Sequence, residues 1–239
     1  MPKVSVILPA AGTGKRFGGN ESKIFQRLAG KCIFMRALEA FTTRSDVCQV
    51  QLVVSPADME PTGRRFGVAL AAMGVSVVQG GATRSQSVRN ALAKMSQEAE
   101  LICVHDAVRP CISPAWVDAV FAEAARSGAA ILAYPVHGTL KKVGPDGAVA
   151  CTLPREQLWE AQTPQVFRRD VLLAAYASGG DATDDAALVE AIGQRVSVVA
   201  GDPRNIKITT AADLALAEAI IGTLSGCRTV PSSGPPAKP

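Results

Sequence analysis

The sequence predicts an α/β protein: a mostly parallel sheet with helices on both faces and a projecting β-hairpin arm. Three observations lead there. Short β-branched runs recur along the chain, and longer stretches with apolar residues at i, i+3 and i+4 lie between them. One segment departs from this alternation with period-two patterning about a tight turn.

In chain order the strand runs are VSVIL (4–8), VQLVV (50–54), VSVVQ (75–79), LICVHD (101–106), AAILAYPV (129–136) and RVSVVAG (195–201). Helical spacing between them makes successive βαβ steps, which require parallel pairing and give a Rossmann-like arrangement. Ser113-Pro114 reads as N-cap and first helical residue ahead of AWVDAVFAEAARSG, which stops at Gly128. From Gly138 to Thr152, GTLKKVGPDGAVACT alternates polar and apolar residues about GPDG, a hairpin signal. This arm, at about 137–154, should project from the body. A lone two-stranded hairpin is marginal in water, so a second subunit is its economical partner. TTAADLALAEAIIG is the last helical stretch and is expected to close at Gly222. The expected organisation is one domain over 1–224 and a proline- and serine-rich, disordered tail at 225–239.

A chain of 239 residues, 48% of them hydrophobic, is long enough to bury one large core. Its formal net charge of +4 is scattered, with no basic run able to track a nucleic-acid backbone, so an anionic small molecule fits better. No apolar stretch reaches the roughly 18 residues of a membrane span. The opening MPKVSVILPAAG has an early lysine and small residues, yet it begins the strand pattern and is read as strand, not signal peptide. The six cysteines (Cys32, Cys48, Cys103, Cys111, Cys151, Cys227) show neither C-x-x-C nor zinc spacing with the two histidines. They read as reduced thiols acting as small hydrophobes in a cytoplasmic protein.

The loop PAAGTGKRF after the first strand is neither standard phosphate motif. Walker A fails because Pro9 and Arg16 stand where glycine and Ser/Thr belong, and the dinucleotide fingerprint fails at Phe17. What remains is small residues, Ala10, Ala11, Gly12 and Gly14, that let backbone N–H groups approach an anion, with Lys15, Arg16 and Lys23 adding positive charge. A polyphosphate suits such a loop at the carboxyl edge of a parallel sheet, although a solvated turn with incidental cations is the plain alternative. In VHDAVRPC, Asp106 offers hard oxygen to Mg²⁺ at the same edge, or serves as a helix N-cap, and Arg109 presents a planar fork to a second phosphate. His105 is read as a hydrogen-bonded core residue. Lys207 alternates between Ile206 and Ile208 as on a strand; it either aims at the sheet edge or lies exposed on the surface. GGATRSQSV makes a glycine turn into a helix N-terminus, a polar-edge site or simple helix initiation.

Together PAAGTGKRF, QGGATRSQSV, VHDAVRPC, PVHGTLKK, WEAQTPQVF, DATDD and NIKITTAADLALAE stand in the order and spacing of one family. From about Val4 to Ile221 the chain resembles the 2-C-methyl-D-erythritol 4-phosphate cytidylyltransferases, CTP-using enzymes of non-mevalonate isoprenoid synthesis. The resemblance implies CTP triphosphate binding by Ala10, Ala11, Gly12, Gly14, Lys15, Arg16 and Lys23, and cytosine and ribose binding by Gly80, Gly81 and Ser87. It implies that Asp106 carries Mg²⁺, that Lys207 steadies the α-phosphate, and that Arg16, Lys23 and Lys207 are catalytic. The acceptor site would use Asp106, Arg109, Thr139, Arg155 and Thr183, in a homodimer whose arm completes the neighbour's site. SKIF replaces the family's usual PK and glutamine after the loop, Ala82 stands where an acidic residue is common, and HGT replaces an aspartate-threonine pattern. A ribitol 5-phosphate cytidylyltransferase and a non-catalytic CTP-binding module are the alternatives.

Overall fold

Side chains along β1 (Val4–Pro9) alternate: Val4, Val6 and Leu8 enter one core and Ile7 the other, so the strand is buried on both faces. A computed structural model describes residues 2–12, 17 and 22–224; Gly14, Lys15, Arg16, Cys227 and the expected 225–239 tail lie outside them. After β1 come a 3₁₀ turn (Lys23–Phe25), a ribbon of β2 (Arg27–Leu28) and β3 (Lys31–Cys32), α1 (Ile33–Thr42), β4 (Val47–Val54), α2 (Pro56–Ala72) and β5 (Val75–Gln79). Next are α3 (Arg84–Leu92), β6 (Leu101–Val104), α4 (Pro114–Ser127), β7 (Ala129–Pro135), β8 (Leu140–Val143), β9 (Val149–Leu153) and β10 (Trp159–Arg168). The described chain ends with α5 (Arg169–Ala177), α6 (Asp185–Ala191), β11 (Ser197–Ala200) and α7 (Ala211–Leu224).

Seven strands form one sheet in the order β5-β4-β1-β6-β10-β7-β11. β1 pairs in parallel with β4 and β6, β4 with β5, and β7 with β11, whereas β10 is antiparallel to both β6 and β7. The chain steps outward from β1 to β4 and β5, then crosses back to β6 on the other side of β1. Loops leaving the carboxyl ends of β1 and β6 therefore part, and that reversal opens a ligand crevice.

Helices cover both faces. Phe34 and Phe41 of α1, Leu70 of α2, Val117 of α4 and Ala217 of α7 pack in one core; Val88 of α3, Leu172 of α5 and Val189 of α6 pack in the other. The helix ends follow capping rules. Ser55, Thr83 and Asp184 accept N–H bonds at the starts of α2, α3 and α6. Pro114 opens α4, and Gly128 closes it at φ 88°, a conformation that glycine adopts without strain. The hairpin forms as expected, with β8 and β9 paired from Leu140↔Leu153 to Val143↔Val149.

One strand is unanticipated and two expectations are corrected. β10 carries no apolar period, yet it is a full ten-residue strand. α7 runs through Gly222 to Leu224, because Ile221 and Leu224 still have core to pack against and Gly222 does not turn to positive φ. Lys207 lies on an extended segment with no strand partner; Ile208 holds it there by donating its N–H to the Val108 carbonyl at 2.8 Å. Among the described residues Cys32, Cys48, Cys103, Cys111 and Cys151 are in the thiol form, joined by no disulfide, and no helix is long and apolar enough to cross a membrane.

Candidate active site

Three turns meet at the carboxyl edge where the strand order reverses. Ala10 donates to the Val53 carbonyl at 2.7 Å and Ala107 donates to the Pro9 carbonyl at 3.2 Å, so the start of the small-residue loop is pinned to β4 and to the loop after β6. Gly80, just beyond β5, donates to the Val54 carbonyl at 2.7 Å. A Cβ at Gly80 would stand 2.6 Å from the Ala11 Cβ and 2.9 Å from Ser87 Oγ, so only glycine lets the two turns come this close. The Ser87 hydroxyl accepts from the Gly81 N–H at 3.1 Å and donates to the Thr83 carbonyl at 2.9 Å, locking the second turn onto α3. Between them lies a cavity of about 510 Å³, a volume suited to a small-molecule ligand. Ala10, Ala11, Gly12, Lys23, Gly81, Ser87, Asp106 and Lys207, all singled out from the sequence, line it.

Its electrostatic centre is Asp106. Lys207 Nζ lies 2.7 Å from Asp106 Oδ2, Arg84 Nε 3.4 Å from Oδ1, and Arg109 Nε 4.0 Å from Oδ2. Burial would raise the carboxyl, but Arg84, Lys207 and Arg109 together outweigh it and hold Asp106 ionised far below the usual carboxylate range. Lys23 reaches the same place from the 3₁₀ turn, donating to the Ile208 carbonyl at 3.2 Å, next to Lys207. The crevice is thus lined by Lys23, Arg84 and Lys207, the last two paired with one carboxylate.

Behind it, His105 is fully buried and structural, as expected. Its Nε2 lies 2.9 Å from the Arg109 carbonyl, which only accepts, so Nε2 carries the proton. Nδ1 then accepts from Thr163 Oγ1 at 3.1 Å, while the same oxygen accepts from the Asp106 N–H at 3.1 Å. Burial pushes the imidazole down to about 4, which keeps it neutral. Thr163 comes from β10, whose antiparallel course brings its first half to the edge where the parallel strands end.

Other expected residues stand apart from this cavity. Gly80 lies behind its wall, against Ala11. Arg109 is buried beyond Asp106 and donates to the Asn205 carbonyl at 2.6 Å. Thr139 and Arg155 are exposed at the base of the arm, where Arg155 donates to the His137 carbonyl. Thr183 is exposed in the turn before α6. Sequence reasoning missed Arg84, Thr163 and Asn205. For Arg84 a signal existed: an arginine at the first position of a helix that a double glycine leads to the sheet edge.

Known proteins carry the same fold and sequence pattern. The family profile described as IspD: 2-C-methyl-D-erythritol 4-phosphate cytidylyltransferase matches residues 4–223. The 2-C-methyl-D-erythritol 4-phosphate cytidylyltransferase of Rhodopirellula baltica is 43% identical over 238 residues, covering 94% of this chain and 96% of its own. That of Dechloromonas aromatica is 41% identical over 226 residues, covering 92% and 98%. The crystal structure of the Thermus thermophilus enzyme superposes with a TM-score of 0.77 at 36% identity, covering 92% of this chain and 99% of that one. With the family profile matched over residues 4–223 and relatives 43% and 41% identical over more than nine-tenths of its length, this chain belongs to the 2-C-methyl-D-erythritol 4-phosphate cytidylyltransferase family.

Proposed function

We propose that the chain transfers the cytidylyl group of CTP to 2-C-methyl-D-erythritol 4-phosphate, giving 4-diphosphocytidyl-2-C-methyl-D-erythritol and pyrophosphate. The observation that supports this most directly is one cavity at the strand reversal in which Arg84 and Lys207 pair with Asp106 and which Lys23 also lines.

An oxygen of the acceptor phosphate attacks the α-phosphorus, forming a new P–O–P bridge as the bond to the bridging oxygen of the β-phosphate breaks; pyrophosphate takes the electron pair. The nucleophile is already largely ionised near neutral pH, because the second phosphate pKa is about 6. No general base is needed. The obstacle is repulsion, since unit charges about 4 Å apart cost roughly 1 kcal/mol in bulk water and more in a cleft. Lys207 offsets charge at the α-phosphate, while Lys23, with Arg16 and Lys15 of the same loop, stabilises the departing pyrophosphate. The Gly80–Gly81 turn and Ser87 hold cytosine and ribose beside the small residues Ala10, Ala11 and Gly12, and Gly14 is assigned to the triphosphate with them. Arg109, Thr139, Arg155 and Thr183 are assigned to the acceptor.

Asp106 would hold Mg²⁺, which would neutralise phosphate charge when bound. The donor set fits an ion brought largely by its substrate: one carboxylate faces the cavity, and magnesium takes its other oxygens from phosphates and water. Among the described residues no group of three or more His, Cys, Asp or Glu forms an all-protein cage. We also assign the chain to a homodimer joined through the arm, supported by the exposed apolar side chains of Val143, Val149 and Trp159, and to the cytoplasm, supported by the thiol form of its described cysteines.

The test offers each of the four nucleoside triphosphates with methylerythritol phosphate and Mg²⁺ and measures pyrophosphate. Release with CTP alone is expected. Equal release with ribitol 5-phosphate in place of methylerythritol phosphate, or CTP binding without turnover, would overturn the reading.

A further inference from the structure

One guanidinium joins two parts of the molecule that the reaction would need to keep in register. Arg84 opens α3 and lines the cavity; its Nε donates to Asp106 Oδ1 at 3.4 Å and its Nη2 to Asp185 Oδ2 at 2.7 Å. Asp185 is wholly buried and its other oxygen accepts from the Tyr176 hydroxyl at 2.5 Å. It also begins α6, directly after the turn that carries Thr183 and the cap residue Asp184. Gln165 of β10 fastens the same turn: its Oε1 accepts from the Asp185 and Ala186 N–H groups at 3.0 Å each, and its Nε2 donates to Asp184 Oδ2 at 2.8 Å.

The third edge of the guanidinium is the telling detail. Arg84 Nη1 is buried with no hydrogen-bond partner among the described residues. The other two nitrogens carry the connection to this seven-residue helix and to Asp106. They tie that helix to Asp106 at a fixed distance.

We infer that Arg84 is a positioning residue: its planar fork spans Asp106 and Asp185, so that the Thr183 turn is held at a set place relative to the nucleotide cavity. The inference rests on the assignment of Thr183 to the acceptor. A lysine cannot reproduce the span, because its ammonium is a single point charge without the rigid two-sided geometry.

The experiment measures steady-state kinetics of the full chain, of Arg84→Lys, of Asp185→Asn and of the double variant. Losing a charge-assisted bond on this path raises KM for methylerythritol phosphate about tenfold in either single variant, while KM for CTP stays within about twofold in Asp185→Asn, whose residue does not line the nucleotide cavity. The double variant is no worse than either single one, because both cut the same connection. Equal rises in both KM values in Asp185→Asn, additive effects, or unchanged KM values with only a lower melting temperature overturn the inference. A wild-type chain that releases no pyrophosphate would sink the function reading instead. Amide exchange over residues 181–187 of the ligand-free chain then decides: Arg84→Lys and Asp185→Asn each speed it about fivefold or more if Arg84 holds the turn, and unchanged exchange overturns the idea.

Discussion

Lys207 and His105 show how differently two neighbours of Asp106 use charge. Lys207 is two-fifths exposed and its ammonium already sits 2.7 Å from a carboxylate, so the site is built as a charge pair before any phosphate arrives. Removing it leaves only Arg84 and Arg109 to offset the Asp106 charge that an incoming polyphosphate meets. Lys207→Ala, and likewise Lys23→Ala, are expected to lower kcat by about 10²–10³-fold, the usual loss for one preorganised cation or donor, with an unchanged circular dichroism spectrum; near-normal turnover would remove that residue from the mechanism. His105 acts through stability. Its folded-state value lies at about 4 against about 6.5 for an unfolded chain, so the unfolded form takes up the proton first. The contribution is fully present above pH 6.5, falls as pH drops from about 6.5 to about 4, and is level below that. Its size is on the order of 3 kcal/mol by linkage. Urea midpoints measured from pH 7 to 4.5 should fall over that window. A flat profile would mean that the imidazole is not held neutral between Arg109 and Thr163.

At the scale of elements, the Gly80 turn and α2 make opposite predictions for the same change. A methyl group at Gly80 meets Ala11, Ser87 and the Val54 carbonyl all within about 3 Å. Gly80→Ala should therefore push the small-residue loop outward and raise KM for CTP, with a stability loss of roughly 1–3 kcal/mol from overpacking. Gly67 lies inside α2 with nothing within 4 Å of a built Cβ. Gly67→Ala should stabilise by about 0.5–1 kcal/mol, read as a higher urea midpoint at unchanged slope. Elements whose apolar period is intact, such as β1, β6 and α4, are readable from sequence to within a residue or two. β10 is not, because its buried positions include Gln162, Thr163 and Gln165, each engaged with a distant partner. Those polar side chains fasten the site to the sheet, and by doing so they erase the pattern that would announce a strand. The candidate site divides the same way. Lys23, Asp106 and Lys207 follow local motifs that bring them to one edge. Arg84 takes its meaning from Asp106 and Asp185, 22 and 101 residues away along the chain, and no short window contains that.

The whole molecule raises the question of why Thr139 and Arg155, expected at the acceptor site, stand exposed at the root of the arm while the cavity forms without them. The arm itself gives a physical reason. Val143, Val149, Leu153, Leu158 and Trp159 are all large apolar side chains in water on a two-stranded ribbon and its stem, an arrangement with little stability of its own. Burying that surface against a second copy would stabilise both arms and carry the residues at each root towards the other copy's cavity. In that case Thr139 and Arg155 serve the neighbour, and the acceptor half of the site exists only in the dimer. Sedimentation of the wild-type chain should then give a dimer, and specific activity should fall on dilution through its dissociation range. Val149→Asp places an unpaired charge in the shared face; it should shift the chain to monomer and abolish turnover while CTP still binds, since the residues around the nucleotide cavity lie far along the chain from the arm. A wild-type monomer with full, concentration-independent turnover would return Thr139 and Arg155 to the chain's own site and require the arm to fold back onto it.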